Sequence, residues 1–473
     1  MDTAMTTMQK ITPMLFRKAK RAGPRGLPLV GSLFQMRKDP LKFFAGISRE
    51  YGDVVPVKIG FETIYLINHP DHLKRIFQDN RDNYVRSKYY GQLSPIIGNG
   101  LFTLEGKAWR RQRKTSQPAV SGPNLVNMTS VMVKVVREMI ERLQDYEKND
   151  TPLEISKEAF HFKLTIVMRS LFNADLDREK FEKVLSALTV ILKEIEKRIW
   201  EMFSLPLWLP SRRNRKLQAA INTMGQIIDS IVKKRLDSKV FHDDLLEMLI
   251  RAEKIYGWDK TSLRSIRDQV ISIAIAGHET GAVALCWLTF ELSKNPAIAG
   301  KIRQEADAVF GDKDPDFNSF QKLKYTHQVF KEILRLYPPL WTVSRQTVSA
   351  DVLGQHKLPK GAIVMLSPYV MHSNPRFWNN PEVFDPDRFL PEQEATRHKH
   401  AYFPFGGGPH LCLGNRFGTL EGVMSLAMLC QKFDFEVCPG QKLEPVPMTT
   451  LRPSGRMFIK VRKGDETRRR LAA

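Results

Sequence analysis

Apolar positions along the chain follow two periods, and the change between them marks the first predicted elements. Residues 41–51 place apolar side chains every three or four positions, as one face of a helix does, and the pattern ends at Gly52. Apolar and β-branched residues then fill 54–59 and 63–67, so two strands joined by a short turn are predicted. From about residue 71 to residue 295 the helical period dominates, with breaks at glycine and proline clusters.

The longest unbroken helical pattern runs over residues 261–293 and ends at the Asn-Pro pair that follows. A helix of this length is about 50 Å long, enough to cross a whole domain. A second apolar stretch with helical spacing covers residues 416–429. The last quarter mixes short strands, such as 362–367, with long irregular loops, such as 377–405. The chain is therefore predicted to be mainly α with a small β region.

Composition places the chain among ordinary globular proteins. It has 473 residues, of which 42% are apolar, which is ample for a core. Its length alone would favour about three domains. The four cysteines include no C-x-x-C pair, so neither a zinc site nor a disulfide framework is predicted. Reduced thiols and a cytosolic setting are the simpler expectation.

The charge is strongly positive, with 73 basic and 51 acidic residues and a formal net charge of +22. Such a surface attracts acidic proteins, anionic membranes or, without specificity, nucleic acid. We expect no nucleic-acid partner, since the chain has no helix-turn-helix, zinc-finger or RNA-binding signature. We also find no stretch of about 18 or more apolar residues, so no bilayer-spanning segment is predicted.

The two ends of the chain are basic. Residues 1–23 are predicted to form a basic arm around the short apolar patch 14–16, which is too short for a secretory signal. The alternatives are contact with a membrane surface, or an anchor that has been removed before residue 1. Residues 464–473 are predicted to form a basic tail.

One cysteine stands in an unusual frame, Phe-Gly-Gly-Gly-Pro-His-Leu-Cys-Leu-Gly over residues 405–414. Glycines let a backbone pass close to a flat object and leave amide N–H groups near the sulfur of Cys412. Amide donors and the N-terminus of the predicted helix after Gly414 favour the thiolate, the form of cysteine that binds metal. The alternative is a glycine loop around an ordinary core cysteine.

This frame resembles the haem-binding loop of the cytochrome P450 family, F-x-x-G-x-[RH]-x-C-x-G. The matching residues are Phe405, Gly408, His410, Cys412 and Gly414. The resemblance covers nearly the whole chain. It implies the cytochrome P450 fold in a single large catalytic domain, residues 24–463, with haem b between the long central helix and the cysteine loop. Cys412 is then the iron ligand, and the long loop 377–405 corresponds to the meander of the family.

A second motif lies inside the longest predicted helix, at Ala276-Gly277-His278-Glu279-Thr280. Glycine in a helix interior costs about 1 kcal/mol relative to alanine, so Gly277 needs a reason. Ala276 and Thr280 are four residues apart and share a face, where small side chains leave room for a flat cofactor. The motif resembles the family element [AG]-G-x-[DE]-T, which implies proton delivery by Thr280 and Glu279. The family often has Thr or Ser at the next position, where this chain has Gly281.

Further resemblances concern charged side chains. Glu332, Arg335 and Arg388 match the family's structural triad, which supports the fold and the haem loop rather than the chemistry. The residues that match contacts to the haem propionates are Trp109, Arg113, Arg345 and His410. His410 stands where many relatives have arginine, so the charge at this position depends on pH.

The resemblance implies a haem-thiolate monooxygenase that hydroxylates a lipophilic substrate, namely a fatty acid, a terpenoid or a steroid. Electrons from NAD(P)H are expected through an acidic ferredoxin, a flavodoxin or a flavoprotein reductase, since the chain has no reductase domain or Rossmann glycine fingerprint. Arg110, Arg111 and Lys114 are candidates for docking that partner, or form a solvated face. The alternatives are a peroxide-driven peroxygenase, a haem-thiolate lipid isomerase, and a haem sensor or carrier without catalysis.

Three apolar segments are candidates for the substrate pocket. They are the loop 93–102, the proline-interrupted stretch 200–210 and the residues 340–343. The stretch 200–210 precedes a basic run, which suits either a channel lip on a membrane or a loop packed on its own domain. The expected location is cytoplasmic, with peripheral contact to a membrane as the open alternative.

Overall fold

The structure is a computed structural model that describes residues 23–201, 206–238 and 240–464, without the side chain of Trp200. The predicted basic arm and tail therefore lie outside the described residues, apart from Gly23 and Gly464. Part of the proline-interrupted stretch 200–210 also lies outside them. The domain bounds remain predictions.

Helices make up most of the described residues. In chain order they are α1 Leu33–Lys38, α2 Pro40–Tyr51, α3 Pro70–Lys74, α4 Lys88–Gly91, α5 Ser94–Ile97, α6 Gly106–Ser116, α7 Pro123–Lys148, α8 Ile155–Phe172, α9 Arg178–Trp200, α10 Arg212–Asp237, α11 Leu245–Tyr256, α12 Ser262–Lys294, α13 Pro296–Val309, α14 Phe317–Lys322, α15 Lys324–Leu336, α16 Pro368–His372, α17 Pro391–Thr396 and α18 Asn415–Lys432.

The strands are short and form small sheets. They are β1 Val54–Ile59, β2 Glu62–Ile67, β3 Tyr84–Arg86, β4 Leu153–Glu154, β5 Val343–Thr347, β6 Asp351–Leu353, β7 His356–Leu358, β8 Ile363–Leu366, β9 Phe433–Val437, β10 Pro445–Pro447, β11 Leu451–Pro453 and β12 Phe458–Lys463. The largest sheet has the order β1-β2-β8-β5-β3, and the others are β4-β12-β9, β10-β11 and β6-β7. The mainly α architecture with a small β region is thus confirmed.

Helix α12 is the centre of the molecule. Most of its side chains are buried, and it packs in the main apolar cluster with residues of α7, α8, α15 and α18. Of the described helices, α12 alone is long and apolar enough to cross a membrane. Because 72% of that window is buried inside the protein, we interpret α12 as a core helix.

The local patterns predicted most elements closely. Helix α2, strands β1 and β2, the long helix α12 and the helix α18 occur where the periods placed them, within a few residues at each end. Side-chain caps set some of these boundaries: the carboxylate of Asp39 accepts a hydrogen bond from the Lys42 amide at the start of α2. The predicted loop 93–102 contains one helical turn, α5, and the loop 377–405 contains the short helix α17.

Candidate functional site

In the cysteine loop, backbone segments lie unusually close together. The Cys412 amide donates to the Phe405 carbonyl at 3.0 Å, which closes the turn between them. Gly408 has φ +69°, and a Cβ there would lie 2.5 Å from the carbonyl oxygen of Phe77. A residue with a side chain would therefore be both strained and blocked at this position. The loop ends at Gly414, and α18 begins at the next residue.

The thiol of Cys412 keeps accessible surface although protein surrounds it. Burial raises the pKa of this thiol, while a hydrogen bond from the Gly414 amide and the nearby charge of Arg113 lower it. The amide donor is one of the two influences predicted for this sulfur, whereas the charge of Arg113 was not predicted, and burial outweighs both, so the pKa lies above its ordinary value.

The motif on α12 places accessible and buried residues on different faces of the helix. Ala276 is exposed and Gly277 and Thr280 are partly exposed, whereas His278 and Glu279 are buried. The Thr280 hydroxyl donates to the Ala276 carbonyl at 2.8 Å, one turn earlier. Ala276 and Thr280 therefore share the accessible face of α12, as their spacing predicted.

Glu279 lies in a different environment from Thr280. Its carboxylate accepts hydrogen bonds from the Thr450 hydroxyl at 2.7 Å and from Arg452 at 3.0 and 2.5 Å. Adjacent residues of a helix do not share a face, so this arrangement directs the carboxylate away from the Thr280 side. Its role in proton delivery remains a prediction, and that role requires Glu279 to leave Arg452 or to act through it.

The residues predicted to hold propionates come together between α6, β5 and the cysteine loop. Trp109 is buried, with its ring centroid 4.2 Å from that of His410. Arg113 donates to the carbonyl of Leu411 at 2.8 Å, which ties α6 to the cysteine loop. Arg345 on β5 is buried, and desolvation lowers the pKa of its guanidinium. Desolvation also lowers the pKa of His410, although contact with a carboxylate opposes this.

Two charged residues of this cluster were not predicted. Arg86 on β3 donates to the carbonyls of Leu101 and Leu104 at 2.8 and 2.9 Å, and burial lowers its pKa to about 10. Glu105 lies 3.3 Å from His410 Nε2. Burial alone would raise the pKa of Glu105, but hydrogen bonds from His410 and two backbone amides lower it to about 2. Neither residue lies in a motif that marks it in the sequence.

The cluster fits a cofactor that carries carboxylates. Arg86 and Arg345 lie near the carboxylate of Glu105, and Arg113 lies near Arg86, so among these described residues three arginines face one carboxylate. Trp109 Nε1 and His410 Nδ1 are buried without a hydrogen-bond partner among the described residues. Trp109 Nε1 is an unpaired buried donor, and His410 Nδ1 becomes a second donor when the imidazole is protonated, because its Nε2 faces Glu105. Such donors beside surplus cations are suited to the propionate groups of haem.

The predicted structural triad is assembled on α15. Arg335 donates two hydrogen bonds to Glu332, both at 2.7 Å, and both side chains are fully buried. Arg388 lies 3.4 Å from the same carboxylate. Arg335 also donates to the carbonyls of His372, Pro381 and Val383. The triad thus fastens the irregular chain before the cysteine loop, and its purely supporting role remains a prediction.

Polar side chains of α12 hold the predicted pocket loop 93–102 through hydrogen bonds. The apolar pattern of the loop did not predict these contacts. The amides of the loop donate to Asp268 at 2.7 Å, to Gln269 at 3.0 Å and to Ser272 at 3.2 Å. A Cβ at Gly100 would lie 2.5 Å from the Ser272 side chain, so the loop needs glycine to approach α12 this closely. Within 340–343, Trp341 is buried in a separate apolar cluster and donates to the Met448 carbonyl at 3.0 Å.

Comparison with known proteins agrees with this geometry. The family model described as Cytochrome P450 matches residues 22–461. Cyclooctatin synthase of Streptomyces melanosporofaciens is 32% identical over 90% of this chain and 92% of its own length. Pentalenene oxygenase of Streptomyces avermitilis is 27% identical over 93% of this chain and 96% of its own length. The solved structure of a retinoic acid-bound cyanobacterial CYP120A1 superposes with a TM-score of 0.79 at 24% identity, covering 93% of this chain and 98% of that one.

Proposed function

Because the chain belongs to the cytochrome P450 family, whose members carry haem iron, we propose that this monooxygenase hydroxylates a terpenoid. The enzyme class rests on the complete frame around Cys412 together with the family match. The substrate class rests on relatives named Cyclooctatin synthase, Cyclooctat-9-en-7-ol 5-monooxygenase and Pentalenene oxygenase. Fatty acids and steroids are the other lipophiles to be compared.

Each residue of the candidate site has its own proposed role. Cys412 would hold the iron through its sulfur, and Arg86, Arg113, Arg345, Trp109 and His410 would hold the propionates. Haem bound through a thiolate supplies the oxygen-activating chemistry of the enzyme. Thr280 presents its hydroxyl on the accessible face of α12, where it would donate a hydrogen bond and direct protons. The small residues Ala276 and Gly277 would leave space for the ring and the substrate.

Electrons would come from NAD(P)H through a separate acidic redox protein. Lys107, Arg110 and Lys114 are exposed at spacings of three and four on α6, so they form one basic face, here called the docking face. Arg110 and Lys114 line a surface groove together with Arg113, which bonds the cysteine loop. Arg111 does not belong to this face, because it lies 3.5 Å from Glu253 and its guanidinium stacks 3.7 Å from the Tyr256 ring.

The proposed location is the cytoplasm, with peripheral contact to an anionic membrane. Four large apolar side chains near the described N-terminus are more than half exposed: Leu27, Leu29, Phe34 and Phe61. The segments that carry Leu29 and Phe61 touch, since the Gly60 amide donates to the Val30 carbonyl at 3.0 Å. Exposed apolar turns on a protein of net charge +22 suit a surface with negative lipid headgroups. Binding to vesicles with and without anionic lipid would test this contact.

Substrate-difference spectra test the proposed substrate class. A panel of cyclic terpenes, terpene alcohols, fatty acids and steroids is titrated into the haem-loaded protein, and each binder is then incubated with NAD(P)H and a ferredoxin pair. We expect a terpenoid to bind and to yield a hydroxylated product only when the reductase system is present. Product formed with peroxide alone would favour a peroxygenase, rearranged product without reductant an isomerase, and binding without any product a sensor or carrier.

A further inference from the structure

Helix α8 crosses α12 directly behind the Thr280 motif, at two glycines. A Cβ at Gly277 would lie 3.0 Å from Val167, and a Cβ at Gly281 would lie 2.8 Å from Cε of Lys163. In each helix the two residues are four apart, so a ridge of α8 lies in a groove that the glycines leave on α12. Each glycine is adjacent in sequence to a residue of the accessible face, Ala276 or Thr280.

Lys163 is an unusual residue for this place. Its side chain is 4% exposed, and its ammonium lies 2.6 Å from Oε1 of Glu421 on α18, whose side chain is 3% exposed. The contact is an ion pair between a buried ammonium and a buried carboxylate. Burying two charges costs several kcal/mol for each ion, and the attraction between them offsets that cost only while both are present.

The pair connects the two sides of the candidate site. Glu421 belongs to α18, the helix that begins just after Cys412, and Gly281 follows Thr280 on α12. The stem of Lys163 occupies the volume where a side chain at position 281 would lie. A threonine or serine there, as the resemblance to the family leads one to expect, would collide with Lys163.

We propose that Lys163 is a positioning residue for proton delivery. It sets the distance between Thr280 and the cysteine loop. In contact with Gly281 and paired with Glu421 in the second turn of α18, it fixes the distance between α12 and α18. The hydroxyl of Thr280 and the carbonyl of Ala276 then stay where a proton donor is needed. This inference rests on the proposed monooxygenase function, and it adds a residue that touches neither substrate nor haem.

A double-mutant cycle between Gly281→Ala and Lys163→Ala tests the proposal. In Gly281→Ala the new methyl group meets the stem of Lys163, so α12 or the lysine must shift. In the double variant that contact is gone, so the effect of the methyl group should largely disappear. The distal geometry is read from the infrared stretching band of CO on the reduced haem protein, and the coupling from product and peroxide formed per NAD(P)H.

We expect Gly281→Ala to shift or broaden the CO band and to cause a several-fold loss of product per NAD(P)H. The double variant should return both towards the values of Lys163→Ala alone. Should Lys163→Ala fail to fold, Lys163→Ala combined with Glu421→Gln replaces it, since this pair of changes removes the lysine stem and leaves no unpaired buried charge. Arg303→Met is the matched control, because Arg303 forms a buried ion pair with Asp434 at 2.5 Å, between α13 and β9.

The control should lower the thermal midpoint and leave the CO band and the coupling unchanged. If Gly281→Ala and Lys163→Ala also change only the midpoint, the pair is structural and the proposal is wrong. If the two changes affect the CO band additively, Lys163 does not act through position 281, and the proposal is wrong as well. A parent protein without a thiolate-type CO spectrum would instead overturn the proposed function.

Discussion

Arg452 holds Glu279 through two hydrogen bonds, at 3.0 and 2.5 Å, from a strand that lies 173 residues further along the chain. The Thr450 hydroxyl adds a third hydrogen bond to the same oxygen. The acid of the Thr280 motif is thus clamped by the β10-β11 hairpin in this structure. Proton delivery by Glu279 would require the carboxylate to exchange Arg452 for another partner, so Arg452 controls how often Glu279 is free.

Arg452→Leu should therefore change turnover as well as stability. It leaves the carboxylate of Glu279 buried with only the Thr450 hydroxyl, and loss of one partner of a buried pair costs about 3–5 kcal/mol. We expect a lower thermal midpoint and an altered kcat, because the guanidinium no longer holds the carboxylate of Glu279. Arg452→Lys keeps the charge and serves as the control. An unaltered kcat in Arg452→Leu would show that Glu279 takes no part in proton delivery.

Thr280→Ala should keep haem and substrate binding but uncouple turnover. The variant removes the hydroxyl that lies on the accessible face of α12 and retains the backbone that supports it. We expect NAD(P)H to be consumed with peroxide released in place of product, measured as product and peroxide per NAD(P)H. Thr280→Ser, which keeps a hydroxyl, is the control and should stay near the parent. Parent-level product in Thr280→Ala would mean that another residue directs protons.

Cys412→Ser should abolish the CO-difference spectrum typical of thiolate-ligated haem. Serine keeps the size of the side chain but does not supply a thiolate, which is the ligand expected from the frame around residue 412. Cys438→Ser changes a partly buried cysteine elsewhere and should leave the spectrum as in the parent. A thiolate-type spectrum in Cys412→Ser would rule out this residue as the iron ligand.

Local patterns sufficed for the parts of this protein that depend on neighbours in sequence. The period of α12, the spacing of Ala276 and Thr280, and the glycine frame of Cys412 each extend over one segment, so one sequence reveals them. The fold as a whole followed from the family resemblance and is confirmed by the family match.

The partners of those residues could not be predicted, because each comes from a distant segment. Arg452 meets Glu279, Lys163 meets Glu421, and Arg86 joins the cluster around Trp109 only when the chain has folded. Lone arginines and lysines are ordinary on protein surfaces, so nothing in one sequence distinguishes a buried one. The single signal was Gly281, a glycine in a helix interior where the family often has Thr or Ser. The side chain of Lys163 occupies the space where a side chain at position 281 would lie.

Protonation of His278 should make the protein less stable in acid. Both of its ring nitrogens are buried without a hydrogen-bond partner among the described residues, and burial lowers its pKa to about 3. Below the ordinary pKa of 6.5 the unfolded chain binds this proton and the folded one does not. As the pH falls, this residue alone lowers the free energy of unfolding by about 1.4 kcal/mol per pH unit. The decrease ends when the pH approaches the pKa of His278 in the folded protein. His278→Leu should flatten the slope of unfolding free energy between pH 6 and pH 4.5, and an unchanged slope would contradict the assignment.

The docking face provides the last prediction. Arg110→Glu combined with Lys114→Glu should slow electron transfer from an acidic ferredoxin, because rim charges mainly set the association rate. Substrate affinity should barely change, since the exchanged residues lie on the outer surface of α6. Stopped-flow reduction of the haem, measured over a series of salt concentrations, reports the effect, with screening over about 10 Å at 0.1 M.

Two controls separate this face from the overall charge. Arg215→Glu with Lys216→Glu makes the same change of net charge on exposed residues of α10 and should leave the reduction rate near the parent. Arg111→Glu breaks the contacts with Glu253 and Tyr256, so it should lower the thermal midpoint more than the reduction rate. Added salt should slow reduction of the parent more than reduction of the docking-face variant. An equal salt dependence in the parent and the docking-face variant would show that the docking face is only solvated surface. The positive charge would then act elsewhere, such as at an anionic membrane.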